Sequence, residues 1–172
     1  MKEIKSSKFL SLGGILTTIT VILQSAPVFL PGIGMALSPF STLPIGTAAY
    51  LNVYLGLLVY ISSALILTLI HIEETVILIF TTGILGFIVG SLLFRKGLIL
   101  SVITSSVALF VGILSLIYLV NISSFVELKD LSVQLLYGGV YLFSLTYVVF
   151  WNLGIKLFIN YLKKHKIIPK IS

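Results

Sequence analysis

The sequence predicts an all-α integral membrane protein in which six helices cross the lipid bilayer and both termini lie in the cytoplasm. Hydrophobic residues make up 58% of the 172 residues, charged residues make up 9%, and the mean hydropathy is +1.20. A soluble domain carries about 25% charged residues, so a chain this apolar needs lipid as its solvent. In addition, ten of the eleven Lys and Arg residues lie in three places, which are the two ends of the chain and one short loop.

Long apolar stretches, each near the roughly 20 residues that a crossing helix needs, are separated by short polar segments. Five of these stretches are continuous, and they are Phe9–Ala26, Leu51–Ile70, Thr75–Phe94, Leu98–Val120 and a last one from about Leu131 to Leu153. The first follows three lysines, as the apolar core of a signal peptide does. Its candidate cleavage site, Gln24-Ser25-Ala26, has Gln where a small residue is required, so we predict a retained signal anchor.

The stretch Val28–Tyr50 is also apolar, but it is interrupted by Pro31, Pro39 and Pro44 and by several glycines. The distribution of basic residues decides whether this stretch crosses the bilayer. If it does not cross, the five remaining spans place four basic residues on the cytoplasmic side and seven outside. If it does cross, ten basic residues are cytoplasmic and only Lys129 lies outside. Because orientation follows the Lys and Arg bias of short loops, we predict a short, Pro-broken second span at Met35–Ala49. A broken helix at membrane depth is stable only where protein or a water-filled cavity shields its backbone from lipid. We therefore expect this span to lie against a cavity.

The predicted spans form one transmembrane domain that covers residues 1–172, with basic cytoplasmic tails at 1–8 and 161–172. The predicted location is the cell membrane, with several passes and both termini inside. The outer loops are then Pro27–Gly34, His71–Glu74 and Asn121–Asp130. The basic residues flank apolar spans and form no stripe on a soluble face, so the net charge of +6 indicates topology and not nucleic-acid binding.

Ionisable groups are rare in the predicted spans, and none lies near the middle of the bilayer. This argues against a proton pump or an ion channel, which usually need a charged relay or ring. The two histidines, His71 and His165, lie at membrane edges, and the chain has no cysteine. Because no catalytic set and no complete ligand set is present, we predict no enzyme activity, no metal site and no cofactor.

Polar residues of the outer loops are the candidates for ligand binding. They are Glu73, Glu74, Asn121 and Lys129. Polar side chains that converge over an apolar cavity form the usual kind of small-molecule site. The alternative for each residue is ordinary solvation of a loop.

Small residues four positions apart are the candidates for close packing against a partner helix. They are Gly13 with Thr17 on the first span and Gly86 with Gly90 on the fourth. Such spacing lets two helix backbones approach closely. The partner helix is either another helix of the same bundle or a helix of another subunit.

The layout as a whole resembles the S components of energy-coupling-factor transporters, which are the membrane subunits that bind vitamins in bacteria and archaea. The resemblance is one of architecture and covers most of the chain. It includes the Leu30-Pro31-Gly32-Ile33-Gly34 segment after the first span, the short second span, and the Gly-rich fourth span that ends in Arg95-Lys96. Where the family carries Ala-x-x-x-Ala on the first span, this chain has Gly13/Thr17 and Gly14/Thr18.

The resemblance implies a membrane-embedded subunit that binds a small, vitamin-like molecule for uptake, with the loop Pro27–Gly34 as a lid over an outward-facing cavity. It also implies ATPase and coupling subunits as partners, since this chain has no phosphate-binding loop of its own. The alternative is a membrane scaffold or assembly protein without a ligand, similar in size to the rod-shape-determining membrane protein. A polar cavity at the outer face would favour the binding subunit, and a packed apolar interior would favour the scaffold.

Overall fold

The computed structural model of the protein describes residues 6–120 and 132–165, and within these residues all regular secondary structure is helical. The helices follow one another in this order: α1 Ser6–Phe29, α2 Ile33–Leu37, a 3-10 helix Ser38–Ser41, α3 Thr42–Leu51, α4 Val53–Ile70, α5 Ile72–Ile77, a π-helical segment Leu78–Thr82, α6 Gly83–Leu92, α7 Leu98–Ser115, a second π-helical segment Leu116–Val120, and α8 Val133–Lys164.

Five stretches of the described chain are long and apolar enough to cross a membrane, judged by length and composition. They are Ser7–Phe29, Val53–Ile70, Ile72–Leu92, Leu98–Tyr118 and Val133–Lys164. They correspond to the five continuous apolar stretches of the sequence. The all-helical fold with five such helices agrees with the prediction of a helical membrane protein.

The predicted second span is built from three short pieces, which are α2, the 3-10 helix and α3. Pro39 and Pro44 each fall in the first turn of their helix, where a missing N–H costs no internal hydrogen bond. Eight of the ten residues of α3 are buried, and α3 packs against α1, α4, α6 and α8. Protein therefore covers most of the broken segment, and an apolar groove of about 380 Å³ lies beside it, between Leu43 and α8.

Helices α3 and α6 run side by side in the same direction. A Cβ atom on Gly86 would lie 2.6 Å from the carbonyl oxygen of Thr42, and one on Gly90 would overlap the backbone of Gly46. Further along, the Arg95 guanidinium donates hydrogen bonds to the carbonyl oxygens of residues 49 and 50, at 3.1 and 3.0 Å, at the end of α3. Glycine is required on α6 because a larger side chain would push the two backbones apart.

Basic side chains gather at the end of the bundle where α3 and α6 both finish. Besides Arg95, the Lys163 ammonium group lies over the rings of Tyr50 and Phe94, 4.8 and 4.4 Å from their centroids. Helix α8 therefore ends at the same level. The described acidic residues, Glu73 and Glu74, lie on α5, which begins at the opposite end. The charges are thus separated along the bundle, as the sequence predicts.

Two helices are longer than expected. Helix α1 continues through Pro27 to Phe29, and Leu30 N–H still bonds to the Ala26 carbonyl at 2.8 Å. The predicted lid loop Pro27–Gly34 therefore shortens to residues 30–32, where Gly32 has a φ of 87° that favours glycine. Helix α8 has 32 residues and includes 161–164 of the predicted tail. At 1.5 Å per residue it is about 48 Å long, longer than the roughly 30 Å hydrocarbon core.

Candidate functional site

A buried polar cluster connects four elements at the end of the bundle that is opposite to Arg95. Its centre is the Gln24 side chain on α1, which is fully buried. The Gln24 Nε2 group donates to Glu74 Oε2 on α5 at 2.8 Å. The Gln24 Oε1 atom accepts hydrogen bonds from Ser41 Oγ of the 3-10 helix and from Thr82 Oγ1 of the first π-helical segment, each at 2.8 Å. We call Gln24, Ser41, Glu74 and Thr82 the amide cluster.

Irregular helix geometry brings these side chains together. Glu74 and Thr82 are eight residues apart, an offset of about 80° around an uninterrupted α-helix. The wider π-helical turn Leu78–Thr82 acts as a one-residue insertion, which reduces the offset to about 20°. Both side chains then face Gln24. The Tyr60 hydroxyl donates to the Ile79 carbonyl oxygen at 2.8 Å and thereby supports this turn from α4.

The hydrogen bonds of the amide cluster form a series of donors that ends at the Glu74 carboxylate. Two hydroxyl groups donate to the amide oxygen of Gln24, and the amide nitrogen donates to Glu74. Hydrogen bonds to a carboxylate favour its charged form, and bonds in series polarise one another. Glu74 is only 8% exposed, and burial opposes its charge. Among the described residues, the titratable groups that act on Glu74 are His71 and Glu73, and neither is a Lys or an Arg.

Two polar atoms next to the amide cluster in sequence are buried and have no hydrogen-bond partner within the described residues. They are Thr42 Oγ1, which follows Ser41, and His71 Nδ1, three positions before Glu74. A buried polar atom without a partner costs about 1–3 kcal/mol. Such atoms are rare in native structures, and one explanation for them is a ligand that completes their hydrogen bonds.

The four predicted ligand-binding residues have different outcomes. Glu74 is buried in the amide cluster, while Glu73, its neighbour on α5, is exposed. The other two, Asn121 and Lys129, lie outside the described residues. The structure therefore brings one of these predicted residues together with three polar residues that sequence reasoning missed.

The missed residues are Gln24, Ser41 and Thr82. One signal was available for Gln24, because it is the single Asn or Gln in the predicted span Phe9–Ala26. A polar side chain inside an apolar span usually bonds to another helix. The hydroxyl residues carried no such signal, since Ser and Thr often bond to their own helix backbone.

The predicted packing residues lie within the bundle. Gly86 and Gly90 contact α3, Gly13 faces Leu55 of α4, and Thr17 is buried. A Cβ atom on Gly14, in contrast, would meet nothing within 4 Å. The small-residue pair Gly14 and Thr18 therefore faces away from the bundle.

Chemically, the amide cluster is suited to binding. It offers one carboxylate, one amide and hydroxyl groups, without a nucleophile activated by a base. The described residues contain no group of three or more His, Cys, Asp or Glu side chains that would hold a metal ion. A second open space, an apolar groove of about 520 Å³ between Phe80, Ile84 and α7, lies on the side of the bundle.

Comparison with protein-family models, with curated proteins and with solved structures finds no match for this chain.

Proposed function

We propose that the chain crosses the cell membrane six times, with α2, the 3-10 helix and α3 as the second crossing and with both termini in the cytoplasm. Helix α3 rises only about 15 Å, half of the hydrocarbon core, so the two shorter helices complete the crossing. The parallel course of α3 and α6 supports this topology, because the second and fourth of six crossings run in the same direction. The basic end with Arg95 and Lys163 is the cytoplasmic end.

We further propose that the protein is the membrane-embedded binding subunit of an uptake transporter and that it binds a small, vitamin-like molecule at the amide cluster. The observation that carries this proposal is the burial of Glu74 in an apolar bundle, where the Gln24 amide donates to it and no Lys or Arg of the described chain acts on it. Packed apolar residues would stabilise such a position equally well or better. An ionisable side chain inside a membrane segment is therefore a functional hypothesis by default.

The backbone around the amide cluster supports a binding role. Three interruptions of regular α-helix meet there, namely the 3-10 helix, the π-helical segment and the extended residue His71 between α4 and α5. Ligand sites of membrane transporters are commonly built from discontinuous helices, because the interruptions leave polar groups available. In this protein the same interruptions lie at the end opposite to the basic residues, which is the end that faces outward in the proposed topology.

The proposed partners are ATPase and coupling subunits, because the chain has no phosphate-binding loop. The exposed pair Gly14 and Thr18 on α1 offers a small-residue face on which a partner helix packs closely. This assignment follows the resemblance to S components, which is an analogy of architecture.

Native mass spectrometry of the protein, purified gently from its own membranes, tests the proposal. We expect the wild-type protein to carry a bound molecule of vitamin size or to co-purify with an ATPase complex. The variant Glu74→Gln should lose the bound molecule, while the matched variant Glu73→Gln at the exposed neighbour should keep it. A wild-type protein that carries only lipid would contradict the proposal.

The second candidate function is a membrane scaffold or assembly protein without a ligand. The apolar grooves on the side of the bundle favour it, because the groove between α7 and the π-helical segment presents apolar walls to neighbouring membrane helices. This alternative would be supported if other membrane proteins co-purified with the chain and no small molecule was bound at the amide cluster.

A further inference from the structure

We infer that the amide cluster binds a monovalent cation, either as a metal ion or as the ammonium group of an organic molecule, with Glu74 as the anionic ligand. This inference rests on the proposed binding function and adds the chemical class of the ligand. It follows from the charge of the cluster, from the orientation of its hydrogen bonds and from the number of oxygen atoms present.

The charge balance at Glu74 is incomplete. A carboxylate that is 8% exposed in an apolar bundle requires a positive partner or a proton. Among the described residues, His71 attracts the negative charge of Glu74 and Glu73 repels it, and no Lys or Arg acts on the carboxylate. A bound cation would supply the missing charge. One carboxylate balances one positive charge, so the expected ligand is monovalent.

The hydrogen bonds of the cluster support the negative charge of Glu74, and this charge is what attracts a cation. The chain of donors from Ser41 and Thr82 through Gln24 ends at Glu74 and directs positive dipole ends at the carboxylate. An anionic ligand, such as a carboxylate-bearing molecule, would be repelled by Glu74 and would find no Lys or Arg of the described chain beside it. The geometry therefore selects against anions.

Oxygen atoms for a cation are available around the carboxylate. The hydroxyl oxygens of Ser41 and Thr82 keep lone pairs while they donate to Gln24 Oε1, and a carboxylate offers about four lone-pair sites. The Thr42 hydroxyl, fully buried and without a partner in the described chain, follows Ser41 directly. Hard metal cations are bound by such oxygen atoms, and an ammonium group donates hydrogen bonds to them.

Thermal unfolding of the purified full chain in detergent tests the inference, at constant ionic strength and with choline chloride, whose quaternary nitrogen has no N–H to donate, as the background salt. The probes are sodium chloride, potassium chloride and methylammonium chloride. At about 100 times its Kd, a bound cation should raise the midpoint by about 5–10 °C. A response to sodium or potassium alone identifies a metal ion, and a response to methylammonium alone identifies an ammonium group.

Three variants make the test specific. We expect Glu74→Gln to abolish the rise in midpoint and Glu73→Gln to keep it. Thr82→Val, which removes one oxygen and keeps the shape of the side chain, should shift the response to higher cation concentration. The inference is overturned if no probe raises the midpoint of the wild type, or if Glu74→Gln responds as the wild type does.

Different outcomes would overturn the bound cation and the binding function. A neutral or anionic molecule bound to the wild-type protein in native mass spectrometry, together with no response to cations, would overturn the cation and keep the binding function. A protein that binds neither a cation nor any small molecule would overturn both.

Discussion

Replacing Gln24 by leucine is the perturbation that best separates a functional carboxylate from ordinary packing. Leucine is apolar and similar in size, so the substitution removes the hydrogen bonds of the side chain with little change in volume. Three hydrogen bonds of 2.8 Å disappear, and the Glu74 carboxylate loses its amide donor inside the bundle.

The expected loss of unfolding free energy is about 1.5–3 kcal/mol, which is the usual contribution of a hydrogen bond to a charged group. The hydroxyl groups of Ser41 and Thr82 add little to this figure, because Ser and Thr in helices can bond to a carbonyl four residues earlier. Thr20 of α1 already does so, with a distance of 2.8 Å to the Leu16 carbonyl oxygen.

The double variant Gln24→Leu/Glu74→Leu gives the decisive comparison. Replacing both partners by apolar side chains leaves no buried carboxylate, so its stability should return to within about 1 kcal/mol of the wild type. Relative to the Gln24→Leu variant, the second substitution would thus restore about 1–2 kcal/mol, and the cycle would show that the two side chains are coupled.

Unfolding in mixed micelles with increasing dodecyl sulfate, followed by tryptophan fluorescence, measures these differences. Trp151 is the single tryptophan, is 4% exposed, and packs edge-to-face on Phe40 and Phe150 at 5.7 and 5.8 Å. Its emission should therefore report the loss of packing. A Gln24→Leu variant as stable as the wild type, or a double variant that loses the sum of the two single effects, would refute the reasoning.

Three pairs of substitutions test the fold and the topology. Gly90→Ala should lower the unfolding free energy by about 1–3 kcal/mol because its methyl group overlaps α3, whereas Gly14→Ala, in open space, should be neutral or stabilising by up to about 1 kcal/mol in the same assay. Arg95→Leu should lower the unfolding free energy by about 1.5–3 kcal/mol through the lost hydrogen bonds to the end of α3. Lys96→Leu, at an exposed site, should change the unfolding free energy by no more than about 0.5 kcal/mol. In this cysteine-free chain, a membrane-impermeant maleimide should label Glu73→Cys on intact cells and Lys96→Cys only after permeabilisation; the opposite pattern would reverse the proposed topology.

The five long helices could be predicted because lipid imposes a simple requirement on each of them separately. A segment that crosses must satisfy its own backbone and must be apolar along its length, and hydropathy measures both conditions locally. The ends were less predictable. Helix α1 passes through Pro27, and α8 continues to Lys164 beyond its apolar stretch. Packing and capping decide such ends, and neither appears in a hydropathy average.

The candidate site was predicted in part. The sequence predicts Glu74 as a polar residue of an outer loop, but in the structure it lies in the first turn of α5 and is buried. In the sequence Gln24 stands out only as part of a poor cleavage site, because its three partners lie 17, 50 and 58 residues away. Distances of that kind depend on how the helices pack, and no local pattern encodes them.

The sequence by itself determined the class of this protein, the positions of its apolar helices and the separation of its basic residues. These properties follow from composition and from the order of residues, because the bilayer acts on each segment independently. Only the tertiary structure decided that α3 lies buried beside α6 and that Gln24, Ser41, Glu74 and Thr82 meet. The reason is that glycine contacts and a π-helical turn set the rotation and the spacing of helices, and these are properties of pairs of helices that a single segment does not contain.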